Sequence, residues 1–120
     1  MSTFTVEATL IHLEHRERSV TADFLVDTGA FYSLLPAEIV ERLGLEAEED
    51  FEGVLASGEP VAYKQGEVRI RIGRRERTTI FVAGPPGCFP LLGALTLEEF
   101  GLAADPRHQR LVPGRFLGHL

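Results

Sequence analysis

Cysteine is nearly absent: Cys88 stands alone among 120 residues, so no intrachain disulfide can form and a reduced, cytoplasmic setting is expected. No run approaches the ~18 apolar residues that a bilayer-spanning helix requires, and no membrane partner is expected. The first residues do not join a basic region to an apolar stretch, so no secretory signal is expected either. Positive charge is scarce, with 12 Lys and Arg against 18 Asp and Glu and a net charge of -6. Nucleic-acid binders usually carry a basic stripe, so nucleic acid is not an expected partner. The one basic cluster, Arg69, Arg71, Arg74, Arg75 and Arg77, alternates along a strand pair and reads as a solvated hairpin face. No glycine-rich loop precedes a helix to cradle a phosphate. His12 and His15 lack a nearby cysteine, and their spacing at a strand end is expected to point the rings to opposite faces. Cys88 has no identifiable base and reads as a small buried residue beside Pro85-Pro86-Gly87. Neither a metal nor another cofactor is expected.

What remains is ordinary globular material, 44% hydrophobic and 25% charged, of a length that fits one domain over residues 1–120. Strand patterns dominate. Phe4 to Leu13 alternates, with Val6, Ala8 and Leu10 on one face, and the charged run Glu14 to Arg18 makes a hairpin tip before Val20 to Val26 returns. Further strand patterns cover Phe51 to Ala56, Val61 to Tyr63, Val68 to Ile72 and Thr78 to Ala83. Turn chemistry at Ser57-Gly58-Glu59-Pro60, at Gly73 to Glu76 and at Gly84 to Gly87 separates them. The acidic run Glu46 to Glu52 is a solvated surface.

Two short helices interrupt the strands. Pro36 suits a first helical turn, Ile39, Val40 and Leu43 give an apolar face, and Gly44 suits the left-handed end. Thr96 and Glu99 have the spacing of a capping box, which predicts a helix running to about Phe100 and stopped by Gly101. Glu41-Arg42-Leu43-Gly44-Leu45 and Glu98-Glu99-Phe100-Gly101-Leu102 form a faint repeat. Two halves of one fold would produce it, and so would a common helix terminator used twice.

The chemically distinctive element is Asp27-Thr28-Gly29, delivered by the apolar run Phe24-Leu25-Val26 and followed by Ala30 and Ser33. A given tripeptide arises by chance in roughly 2–3% of chains this long, so context must carry the reading. A second apolar-glycine element, Leu91-Leu92-Gly93, supplies it. The stretch Phe24 to Ala30 resembles the active-site loop of retropepsin-like aspartic proteases, and Pro90 to Gly93 through Phe100-Gly101-Leu102 resembles that family's second half. The resemblance extends from about Phe4 to Pro113. It implies an all-β, retropepsin-like barrel with two short helices, one protomer of a homodimer, acting on a peptide or protein substrate.

Peptide hydrolysis by carboxylates needs two of them sharing one proton, because like charges about 3 Å apart cannot both ionise. This chain has one Asp-Thr-Gly, and Leu92-Gly93-Ala94 stands at the matching place in the other half. A working site therefore draws Asp27 from each of two chains. The resemblance gives Thr28 a hydroxyl bond across the twofold axis and gives Gly29 close backbone approach to substrate. It places substrate contacts at Ala30, Phe31 and Tyr32 and in a flap at Ser57, Gly58 and Glu59. Val54, Leu55 and Val61 line subsites there or simply pack within strands.

The departures matter as well. Retroviral members carry two acids after the alanine of the motif and an arginine after the second-half glycine; here those places hold Phe31, Tyr32 and Ala94. Both sides of one ion pair are replaced together, which fits the bacterial-type branch. Phe31 and Tyr32 then give apolar contacts to substrate, or else fill the underside of the loop. Terminal strands form the family's dimer interface. Here Arg110 to Leu117 would serve, although Pro113 and Gly114 interrupt it. An aspartic endopeptidase is the function implied; the alternative is a proteolytically inactive dimerisation or peptide-binding module of the same fold.

Overall fold

The computed structural model describes residues 3–54, 58 and 60–114. Strands β1 (Thr5–Ile11) and β2 (Ser19–Val26) pair antiparallel with Val6 opposite Phe24 and Leu10 opposite Val20. This register follows from the alternation: Ala8, Leu10, Phe24 and Val26 all turn into one core. Between the strands the chain has already left extended geometry. His12 Nδ1 accepts the backbone N–H groups of Glu14 (3.1 Å) and His15 (3.0 Å). The two imidazoles therefore lie beside each other, with ring centroids 4.9 Å apart, rather than on opposite faces. Alternation of strand faces does not extend there because His12 begins a turn. Among the described residues no group of three His, Cys, Asp or Glu side chains could hold a metal ion.

The chain continues through β3 (Ser33–Leu35), α1 (Ala37–Leu43), β4 (Glu49–Val54), β5 (Pro60–Ile72), β6 (Arg75–Ala83), β7 (Leu91–Leu92), α2 (Ala94–Glu99), β8 (Leu102–Asp105) and β9 (Arg110–Pro113). Seven strands form one sheet in the order β1-β2-β7-β3-β6-β5-β4, and β8 and β9 form a separate pair. Strand β5 also pairs with β1, Leu10 opposite Ile70, so the pairings return to their starting strand. The result is a mostly β molecule with two short helices, as the strand patterns predict. Phe24, Phe81, Phe100, Leu10, Leu35, Ile70 and Leu92 are among the largest fully buried side chains of the described residues, each worth on the order of 1.5–3 kcal/mol. Phe24 and Leu92 stand next to the two glycine-containing loops, so the core anchors the strands that carry them.

Three local features differ from the sequence reading. The runs at Val61 to Tyr63 and Val68 to Ile72 belong to one 13-residue strand, β5. Polar Lys64, Gln65 and Glu67 hide that continuity, and Gly66 permits it at a crowded point, where a Cβ would stand 2.0 Å from the carbonyl oxygen of Glu46. Pro36 is the N-cap of α1 in extended geometry rather than part of its first turn. Thr96 does not cap α2: Gly93 holds that position and Thr96 lies inside the helix, fully buried. The helix ends do match. Gly44 and Gly101 both adopt φ 66°, and both donate their N–H to a carbonyl three residues back, Glu41 at 3.0 Å and Glu98 at 2.9 Å.

Candidate active site

The strand β2 carries Phe24 and Val26 inward and ends at Asp27, half-buried at the surface of the core. Strand β7 runs parallel beside it, Val26 opposite Leu92. Leu25 N–H bonds the carbonyl of Pro90 (2.9 Å), and Asp27 N–H bonds that of Leu92 (3.1 Å). The backbone of the acid is thus fixed by the second half of the chain.

The loop then closes on itself. Ala30 N–H donates to the Asp27 carbonyl (3.2 Å), and Gly29 N–H donates to Asp27 Oδ1 (3.0 Å). An Asp side chain that bonds the backbone two residues on forms an Asx turn, so one carboxylate oxygen is oriented by its own loop. The second oxygen, Oδ2, has no hydrogen-bond partner among the described residues. Gly29 fits this turn closely, since a Cβ there would lie 3.2 Å from Oδ1. Thr28 and Gly29 are exposed.

The segment after the motif is clamped to α2. The first N–H groups of a helix have no partner within it; here Ala94 N–H bonds the carbonyl of Ala30 (2.8 Å) and Leu95 N–H that of Phe31 (2.9 Å). Capping of α2 is thereby done by the motif loop, which is why Gly93 needs no capping side chain. Gly93 N–H itself bonds Ser33 Oγ (3.1 Å). From Ser33 a buried line of hydroxyls continues to Thr96 Oγ1 (2.6 Å), Thr79 Oγ1 (2.8 Å) and Glu99 Oε1 (2.7 Å). The Thr96 and Glu99 pair that resembled a capping box belongs to this line instead.

Of the residues singled out by sequence, Asp27, Thr28, Gly29 and Ala30 form the tight loop. Phe31 is 55% exposed and packs edge-on against Tyr32, with centroids 4.9 Å apart, so it does not fill the loop's underside. Ala94 starts α2 directly against Ala30. In the hairpin tip between β4 and β5 only Gly58 is described, exposed and with φ 88°. Ser57, Glu59 and Leu55 lie outside the described residues, as do the side chains of Val54 and Val61 and the terminal Phe116 and Leu117. Cys88 is half-buried, and that burial, with the Glu38 carboxylate adding to it, pushes its thiol pKa up. A raised thiol pKa disfavours the thiolate and hence nucleophilic chemistry.

Sequence reasoning passed over Thr79 and read Thr96 and Glu99 only as a cap. A signal existed: Thr79 shares the inward face of β6 with Phe81, and a hydroxyl there must find a partner.

A cleft of about 450 Å³ opens beside the loop, bordered by Asp27, Thr28, Phe4, Val26, Leu97 and Leu102. The Asp27 carboxylate thus stands at the rim of a mostly apolar cleft. A second cleft, about 470 Å³, lies between the 12–18 turn and the acidic 46–49 segment and does not include Asp27. A family model described as an aspartyl protease matches residues 13–95, a span that includes both the Asp27 loop and Gly93. No curated protein matches the chain.

Proposed function

The chain belongs to an aspartyl protease family of the retropepsin-like clan, and from that premise we propose that it is an aspartic endopeptidase assembled as a homodimer. Asp27 from each protomer forms the catalytic pair. One carboxylate, ionised, takes a proton from water; the other, protonated, polarises the scissile carbonyl. The observation that carries this reading is the double anchoring of Asp27, by Leu92 through its backbone and by Gly29 through Oδ1. An acid so held keeps a fixed aim without a costly reorganisation during reaction.

Counting carboxylates supports the dimer, since Leu92-Gly93-Ala94 replaces a second motif. The additional β1–β5 pairing supports a closed barrel in a single domain. Thr28, exposed on the loop, suits a bond across the twofold axis. The 450 Å³ cleft beside it suits apolar contact with the second protomer. Substrate lies along Ala30, Phe31 and Tyr32 beneath the β4–β5 hairpin, whose tip, Ser57-Gly58-Glu59, acts as the flap. Exposed Phe31 favours peptides with apolar residues near the cut. The lone Cys88, with no second cysteine in the chain to bond, suits a cytoplasmic protein.

Digestion of a mixed peptide library between pH 4 and 7, read by mass spectrometry with Asp27→Asn in parallel, tests the proposal. Cuts made by the wild type and not by the variant support it and give the subsite preferences. A verified, folded dimer that makes no cuts would replace it with a peptide-binding or dimerisation module.

A further inference from the structure

The hydroxyl line under the Asp27 loop has a single direction. A hydroxyl owns one proton, and an ionised carboxylate only accepts. Thr79 gives its proton to Glu99 Oε1. Thr96 must then donate to Thr79, and Ser33 to Thr96, which leaves a Ser33 lone pair facing the Gly93 N–H. Every proton in the line has one acceptor, and no other arrangement satisfies all of them. Ser33 and Thr79 are 2% exposed and Thr96 is 0% exposed, so water cannot substitute for a missing hydroxyl. Only Glu99, at the outer end, is exposed.

The inner end of the line meets the seat of the motif loop. Gly93 N–H takes Ser33; the next two N–H groups take the carbonyls of Ala30 and Phe31; and the carbonyl one residue earlier, on Leu92, holds Asp27 N–H. Four successive residues of the β7–α2 junction thus grip the loop, and the hydroxyl line sets how that junction sits.

We propose that Glu99 is a positioning residue for Asp27, acting through Thr79, Thr96 and Ser33 to seat the β7–α2 junction against the motif loop. It touches no reacting atom. Its role deepens the endopeptidase reading and rests on it for the kinetic part, whereas the structural part stands independently. Without the carboxylate, one hydroxyl proton of the line loses its acceptor within the protein whichever way the line re-forms. The strain is then relieved where the line meets the β7–α2 junction, at residues 93–95.

The test uses four variants: Thr79→Val and Glu99→Ala break the line, and Thr79→Ser and Glu99→Gln retain a hydroxyl or an acceptor. Amide hydrogen exchange is followed at Gly93, Ala94 and Leu95 and, as an internal reference, at Leu10 and Phe81 in the core. Breaking the line is expected to speed exchange at the three junction amides by about 10-fold or more with the reference amides unchanged. On a peptide that the wild type cleaves, kcat is expected to fall about 10-fold with KM within twofold. The two conservative variants restore both. Equal acceleration at junction and core would make Glu99 and Thr79 merely stabilising and overturn the proposal. So would unchanged exchange, or altered exchange with unchanged kcat. Glu99→Ala, at an exposed position, decides the matter if Thr79→Val fails to fold. If the wild type cleaves nothing, the endopeptidase reading falls, and exchange at residues 93–95 still decides the line.

Discussion

Gly93 and Tyr32 meet backbone to backbone: a Cβ at position 93 would stand 2.5 Å from both the carbonyl carbon and the carbonyl oxygen of Tyr32. The two residues lie in different halves of the chain, and this contact lets α2 place its first N–H groups on the motif loop. Backbone cannot swing aside as a flexible side chain can. Gly93→Ala is therefore expected to cost about 3 kcal/mol, at the upper end of what overpacking costs, and to abolish cleavage by displacing the Asp27 loop. Urea unfolding measures the first effect and peptide digestion the second. A variant as stable as the wild type would mean that the junction tolerates a wider seat.

Asp27 has two separable tasks in this structure, a charge and a hydrogen-bond acceptor for Gly29. Asp27→Asn keeps an oxygen for Gly29 N–H and removes the charge. It is expected to abolish cleavage while leaving the proposed dimer as stable as the wild type or slightly more so, since two Asp27 carboxylates facing each other there would no longer repel. Asp27→Ala loses the turn bond too and should be less stable than Asp27→Asn by about 1 kcal/mol. Sedimentation and thermal melting compare the three proteins. An unfolded Asp27→Asn would assign the carboxylate a structural role.

The loop itself was legible in the sequence because it is local: an apolar strand, an acid, a glycine and an alanine are neighbours in the chain. The helix ends at Gly44 and Gly101 were legible for the same reason. The seat of that loop was not. Ser33, Thr79 and Thr96 come from β3, β6 and α2, and nothing in the spacing of three common hydroxyl residues announces that they meet. The Thr96–Glu99 spacing matched a local capping rule, and a tertiary use of both side chains overrode it. His12 and His15 misled in the same way, since a strand-face argument fails one residue past the strand end. The unbroken β5 was obscured by its polar middle, where fit to Glu46 rather than alternation decides the geometry.

That fit gives a further expectation. Gly66 lies so close to the Glu46 carbonyl oxygen that a methyl group would overlap it, with Phe81 also within 3.2 Å of the added carbon. Gly66→Ala should separate the 44–48 segment from β5 and cost about 3 kcal/mol. Because β5 carries the β4–β5 hairpin proposed as the flap, the variant should also raise KM more than it lowers kcat. Thermal melting and steady-state kinetics on one cleaved peptide test both parts. A lowered kcat at constant KM would dissociate this contact from the hairpin.

Glu76 fastens the turn before β2 to the β5–β6 hairpin across the β1–β5 pairing. Arg16 Nη2 donates to both of its oxygens, at 3.0 and 3.2 Å, and Arg71 Nε donates at 3.3 Å. The Arg16 hydrogen bond is the largest cause of a carboxyl pKa held below the ordinary glutamate range; partial burial opposes it, and the charges of Arg16 and Arg71 add to it. A pKa lower in the folded than in the unfolded state contributes stability that is fully present above the unfolded value, ~4.3 for glutamate, and is lost as pH falls through the folded value. Glu76→Gln should therefore melt below the wild type at pH 6, and the gap should close as the pH drops below about 4. Raising salt to ~1 M at pH 6 should narrow the gap as well, because screening then acts over ~3 Å. A gap that persisted in acid and in salt would make the Glu76 contribution one of shape and neutral hydrogen bonding. A gap that closes only below about pH 4 would mean that the fastening holds across the pH 4–7 range tested for cleavage and weakens beneath it.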